Sequence, residues 1–161
     1  MKVPTFRVPG LRRWKGDDLP GVTAVARIDR RTKRLTKRLK AGEIAIIDHV
    51  DIDRVSAEAL VSCGAAAVVN VAASISGRYP NLGPKILLEA GIPLIDNASP
   101  ELFERVRDGD VVRVHEGQVF VGDELIGKGE PRTMAGVEAA MAEARAGLSL
   151  QIEAFTANTM E

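Results

Sequence analysis

The sequence predicts a soluble α/β fold with a mostly parallel central sheet, a small antiparallel section and a long C-terminal helix. Three observations predict it. The runs EIAIID (43–48), AAAVVN (65–70) and IPLID (92–96) are short and nearly continuously apolar, and segments of helical spacing separate them. This is how buried parallel strands under helices read. VVRVHEGQVFVGDELIGKG then reads as short strands broken at Glu116-Gly117 and Gly122-Asp123, which is hairpin chemistry. After Pro131, Met134, Val137, Met141, Ala144, Leu148, Ile152 and Phe155 recur every three or four residues and form one helical stripe.

Taken in order, residues 1–20 hold three prolines and two glycines with little periodicity, so a loosely packed arm is expected. GVTAVARID (21–29) alternates as a strand, with Val22, Ala24 and Ala26 on one face. RRTKRLTKRLKAG follows as a short helix with Asp29 as cap, a stripe of Leu35 and Leu39, and a stop at Gly42. DRVSAEALVSCG (53–64) is a helix capped by Asp53. A further helix spans about Pro84 to Ala90, and SPELFERVRDGD holds one helical turn or two. The last helix is expected over 133–157, and with no stop signal it implies a chain that continues or a second copy against its stripe. The expected domains are therefore an arm at 1–20, an α/β domain at 21–131 and a C-terminal helix at 132–161.

Composition narrows the function. No apolar run approaches the roughly 18 residues of a membrane span, and the opening MKVPTFRVPGLRRWKG lacks a signal-peptide core, so the expected address is the cytoplasm. The single cysteine, Cys63, can form neither an intrachain disulfide nor a zinc cluster alone. The net charge of zero hides an asymmetry: residues 1–40 carry 13 Lys/Arg against 3 Asp/Glu, and residues 41–161 carry 9 against 19. Arg30, Arg31, Arg34, Lys37 and Arg38 make the basic helix a candidate partner-binding face. Few aromatics argue against nucleic acid, and two leucines are too thin a stripe for membrane insertion. An acidic protein surface, this protein's own included, and a merely solvated face are the readings left.

In open α/β sheets ligands sit beyond the carboxyl ends of the strands. Asp48, His49, Asp51 and Asp53 follow the first central strand, Asn70 and the loop SISGRYPN follow the second, and Asp96 follows the third. The candidate ligand site is thus Asp48, Asn70, Ser74, Ser76, Gly77, Arg78, Asn81 and Asp96. An anion, phosphate or carboxylate, suits the loop, its glycines and the helix start behind it. Neither a P-loop nor a dinucleotide GxGxxG turn is present, so a plain turn is the competing reading. Asp48 and Asp53 could hold Mg²⁺, and helix capping explains Asp53 equally well. His49 and His115 read as ordinary histidines with no nucleophile beside them.

Together, GVTAVARIDRRTKRL, GEIAIIDHVDIDRVSAEAL, AAAVVN with SISGRYPNLGP, GIPLID and DGDVVRVHEGQVFVGDELI resemble the N-terminal region of the SteA family of cytokinetic-ring proteins, related to thiamine pyrophosphokinases. The resemblance runs from Gly21 to the end. It implies a regulatory and assembly domain for septation and daughter-cell separation, a membrane division partner and a septal location. It also implies a kinase-like domain beyond Glu161, so that this piece is not a complete enzyme. A rival reading makes it part of a thiamine-pyrophosphokinase-like transferase, completing a nucleotide or diphosphate site with that further domain. Mg²⁺ and a phosphate-containing ligand are the cofactors this rival requires. Gly42 to Gly127 also resembles, more distantly, the phosphohistidine swivelling domains, which implies β/β/α layers. Their phosphorylated histidine would fall at Leu82, which excludes phosphoryl carriage by that residue. Self-association through the C-terminal helix completes the expectations.

Overall fold

The computed structural model describes residues 19–160, so the expected arm lies outside the described residues up to position 18. Strand β1 (Val22–Ile28) leads into helix α1 (Thr32–Thr36), β2 (Ile44–Ile47), α2 (Arg54–Cys63), β3 (Ala67–Asn70), α3 (Gly83–Glu89) and β4 (Leu94–Asp96). Helix α4 (Leu102–Arg105) then precedes β5 (Val111–His115), β6 (Gln118–Val121), β7 (Glu124–Lys128), β8 (Glu130–Pro131) and α5 (Met134–Met160). Strands β1, β2, β3 and β4 are parallel neighbours, whereas β5, β6 and β7 extend the sheet from β1 as an antiparallel meander. The predicted fold class is the one observed.

Alternation along the strands builds the layers. Ile44 and Ile46 point into one core with Ala67, Val69, Val112, Val114 and Val119, between the parallel and antiparallel halves of the sheet. Ala45 and Ile47 point the other way, toward Leu35, Leu60 and Leu87 of α1, α2 and α3. The parallel strands are covered on both faces, which is why their sequences are continuously apolar. The result is helices on sheet on sheet, the expected β/β/α layering.

The closure of this sheet was not expected. Strands β7 and β8 flank opposite ends of the order β7-β6-β5-β1-β2-β3-β4-β8, yet only Gly129 separates them in the chain. The sheet therefore curls until its two edges are joined by a single residue, which leaves little edge to pair with other chains. Small residues permit the join. A Cβ on Gly129 would lie 2.6 Å from the Asp96 carbonyl oxygen, and one on Gly127 would lie 2.8 Å from Leu102. Ser99 fastens the seam, its N–H donating to the Lys128 carbonyl and its Oγ accepting from the Lys128 N–H.

Two helix ends differ from expectation. Helix α1 is only five residues long, and its N-cap is Arg31, whose N–H donates to Asp29 Oδ1 at 2.9 Å. Helix α2 begins as predicted, with Asp53 accepting from the Ser56 N–H, and ends on left-handed Gly64. Helix α5 buries Val137, Met141 and Ala144 near α3 and Ile75, and then runs outward with Leu150 and Ile152 about two-thirds exposed. Among the described residues no helix is long and apolar enough to cross a membrane.

Candidate functional site

Because β2, β3 and β4 are adjacent and parallel, their carboxyl ends bring the predicted polar residues to one rim. Most of them are used to hold the rim together. Asn70 is fully buried: its Oδ1 accepts from the N–H groups of His49 and Ala72, and its Nδ2 donates to the His49 carbonyl and to Ser74 Oγ. Asp96 is fully buried as well, and it accepts from the N–H and hydroxyl of Ser74 and from Arg132 Nε at 2.8 Å. Arg132 lies beyond the seam and had no signal in the sequence, since only closure of the sheet carries it to Asp96.

The loop 74–81 is fixed at its base by a second set of bonds. Asp51 accepts from both the N–H and the hydroxyl of Ser76, at 2.8 and 2.9 Å. The backbone pairs Asp51 N–H with the Ala73 carbonyl and Ile52 N–H with the Ser74 carbonyl, so the loops after β2 and β3 lie side by side. Gly83 packs against Ile52 so closely that a Cβ would sit 2.1 Å from its carbonyl oxygen. Gly77 takes a left-handed φ of 87° with open space around it. Beyond it, Arg78 and Tyr79 project into solvent, and the Arg78 guanidinium has no partner among the described residues. Asn81 Nδ2 is buried without a hydrogen-bond partner. A shallow groove between α4 and β7, lined by Ser99, Glu101, Arg105, Leu125, Ile126 and Lys128, includes none of the loop residues.

The expectation of Mg²⁺ on Asp48 and Asp53 with a phosphate-containing ligand is corrected. Asp48 pairs with Arg30 at 2.9 Å, and Asp53 is occupied in capping α2. Among the described residues no group of three His, Cys, Asp or Glu could hold a metal ion. The phosphate role fails on the helix behind the loop, because α3 has only seven residues, its first two, Gly83 and Pro84, are buried, and Pro84 has no N–H to offer.

His49 is more than an ordinary rim histidine. Its Nδ1 lies 2.7 Å from Thr32 Oγ1 and its Nε2 3.5 Å from Asp53 Oδ1. Thr32 is only 3% exposed, so the trio ties the start of α1 to β2 and α2 and does not present a nucleophile.

The basic helix is partly self-neutralised by this protein's own acidic residues. Arg38 donates to the Ile28 carbonyl and pairs with Asp29 and Asp108, at 2.6, 3.0 and 2.8 Å. Arg30 stacks over Phe103 at 4.4 Å while holding Asp48, and Arg34 stands 3.8 Å from Asp29. The Arg38 guanidinium beside Asp108 holds that carboxyl below its ordinary value of 3.8. Nearby, Arg27 does the same for Glu43, whose ordinary value is 4.5. Arg31 and Lys37 remain exposed, and their side chains have no partner among the described residues.

Fold and rim define a closed β/β/α domain with one braced, solvent-facing loop. No family model matches the chain. It is similar to the phosphomevalonate dehydratase small subunit of Aeropyrum pernix, 55% identical over 42 residues, a match covering 26% of this chain and 30% of that protein. The chain thus spans under a third of the length of the relative it matches. Among solved structures it is similar to a 3-isopropylmalate dehydratase from Methanocaldococcus jannaschii at 12% identity and a TM-score of 0.41, over 81% of this chain and 98% of that one. A likeness at that level leaves fold and function to the chain's own geometry.

These findings correct the family resemblance. The relative that matches is a dehydratase small subunit, not a SteA-like cytokinetic-ring protein. The readings built on SteA fall with it: septation and daughter-cell separation, the membrane division partner, the septal address and the thiamine-pyrophosphokinase-like transferase.

Proposed function

We propose that this chain is a domain of the dehydratase small-subunit kind, which presents the 74–81 loop to a hydroxy-acid substrate in a site completed by a larger companion subunit. The observation that carries this reading is Arg78, a cation left without a partner on a loop whose base is braced by Asp51 and Ser76. The 42-residue match supplies the class of reaction, since a phosphomevalonate dehydratase removes water from a hydroxy acid. Ser76, Gly77, Arg78 and Asn81 are the substrate-facing set, with Arg78 on the carboxylate, a pairing for which the planar guanidinium is suited. Asp51, Asn70, Ser74 and Asp96 brace them, while Asp48 is taken up by Arg30. The loop stands open to solvent, and a substrate held there needs a second surface to exclude water.

Residues 21–131 act as the ligand-facing domain, in the cytoplasm, where a chain with one cysteine is at home. Helix α5 serves association with a second copy. Arg31 and Lys37 are left to meet an acidic protein surface.

The test is co-expression with a dehydratase large subunit from the same genome, followed by assay for loss of water from phosphomevalonate. The expected result is a complex that co-purifies and is active only when both chains are present. A chain that neither associates nor changes the large subunit's activity overturns the reading.

A further inference from the structure

We infer that Asp51 is a positioning residue for Arg78, joining a strained backbone turn to Ser76 so that the 74–81 loop presents its free cation in one fixed place. The inference rests on the dehydratase reading above for the substrate, and it adds the residue that presets the loop. Three observations support it.

The segment that leads into the loop is clamped from both sides by backbone donors. Asp51 and Ile52, after β2, donate their N–H groups to the carbonyls of Ala73 and Ser74, and Asn97 and Ala98, after β4, donate to those of Ala72 and Asn70. Successive N–H groups of an extended strand point to opposite sides. Here both members of each pair reach the same neighbour, because the first member is left-handed, with φ of 53° at Asp51 and 50° at Asn97.

Those two conformations carry strain, and they flank the loop. Apart from Glu116, in the hairpin turn between β5 and β6, they are the left-handed residues other than glycine among the described residues. Strain of this kind persists where the surroundings impose it and gathers at functional sites. Glycine would take either turn freely.

What glycine could not supply at position 51 is the carboxylate. Its two oxygens take the N–H and the hydroxyl of Ser76, whose Oγ stands 3.4 Å from the Arg78 nitrogen. Asn97, by contrast, is exposed and its side chain has no partner among the described residues. The contacts therefore run from Asp51 through Ser76 to Arg78. Fixing that cation before binding spares the complex the entropy of ordering it.

The test is a double-mutant cycle on the complex with a dehydratase large subunit, with phosphomevalonate as substrate, for Asp51→Gly, Arg78→Ala and the two combined. Glycine keeps the left-handed turn and its N–H while removing the carboxylate, and circular dichroism checks that the fold survives. Asp51→Gly is expected to lower kcat/KM about 10-fold, mostly through KM, and to cost less than about 2-fold when Arg78 is already alanine. Asp51→Asn, which tolerates the same backbone and can still bond both Ser76 groups, is expected to stay within about 3-fold of wild type. On the isolated chain, the backbone order parameters of Gly77 and Arg78 should fall from about 0.85 to below about 0.6 in Asp51→Gly. Equal losses from Asp51→Gly in both backgrounds would make Asp51 a structural residue only and overturn the inference. Unchanged kinetics and order parameters in Asp51→Gly overturn it too, and so does an Asp51→Asn as impaired as Asp51→Gly. A complex in which Arg78→Ala changes nothing overturns the substrate reading instead, and the order parameters then decide by themselves whether Asp51 sets the loop.

Discussion

Asn70, Ser74 and Asp96 show how a polar residue at a strand end can be spent on architecture. Each is fully buried and each bonds to at least two groups from other segments. Removing Arg132 would leave the Asp96 carboxylate buried without its charge partner, and a loss of about 3 to 5 kcal/mol is expected for Arg132→Ala in urea unfolding. Asn70→Ala strands the groups it bridges and is expected to cost about 2 to 4 kcal/mol by the same measurement. The Glu43 and Arg27 pair has a pH signature. Arg27 holds the Glu43 carboxyl below 4.5 in the folded chain, so the folded state binds this proton less readily than the unfolded one. That contribution is complete above about pH 5 and is lost as pH falls through 4.5 and below, toward the lowered folded value. Arg27→Gln should therefore lower stability at neutral pH and flatten the acid limb of the stability curve, read as a smaller difference in urea midpoint between pH 7 and pH 4 than in the wild type.

At the scale of elements, two glycines of contrasting surroundings test the packing. Gly83→Ala forces a methyl into the Ile52 carbonyl, and a destabilisation of about 2 kcal/mol or more is expected, read as a fall in thermal midpoint. Gly147 stands in open space inside α5, and Gly147→Ala should raise helicity and stability by about 0.5 to 1 kcal/mol. The elements themselves were largely legible in the sequence. Asp53 announced the start of α2, Gly64 its end, and the apolar runs the three parallel strands β2, β3 and β4. What was not legible depends on distant contacts. Strand β8 is two residues long and contains a proline, so no local pattern marks it. Helix α1 stops at Thr36 although its pattern continues to Leu39, because Arg38 is drawn to Ile28, Asp29 and Asp108. The rim was predictable from strand order, and the division of labour within it was not. Whether Ser74 or Ser76 faces solvent depends on which one Asp96 claims.

At the scale of the whole molecule, closure of the sheet by Gly127 and Gly129 is what converts a row of strand ends into a braced rim. It carries Arg132 to Asp96, and with Asn70 and Asp51 this pins the loops after β2, β3 and β4 to one another. Amide hydrogen exchange should find β2 and β3 the most protected segments, buried on both faces, and residues 148–157 of α5 protected only at concentrations where the chain associates. The function assigned to this scaffold depends on one side chain that the scaffold does not use. The most direct test is the steady-state kinetics of the complex with a dehydratase large subunit, comparing wild type with Arg78→Ala and Arg78→Lys. A cation that binds the substrate carboxylate predicts a loss of about 100-fold in kcat/KM for Arg78→Ala, with partial recovery in Arg78→Lys and unchanged assembly of the complex. Equal kcat/KM in all three proteins would contradict it.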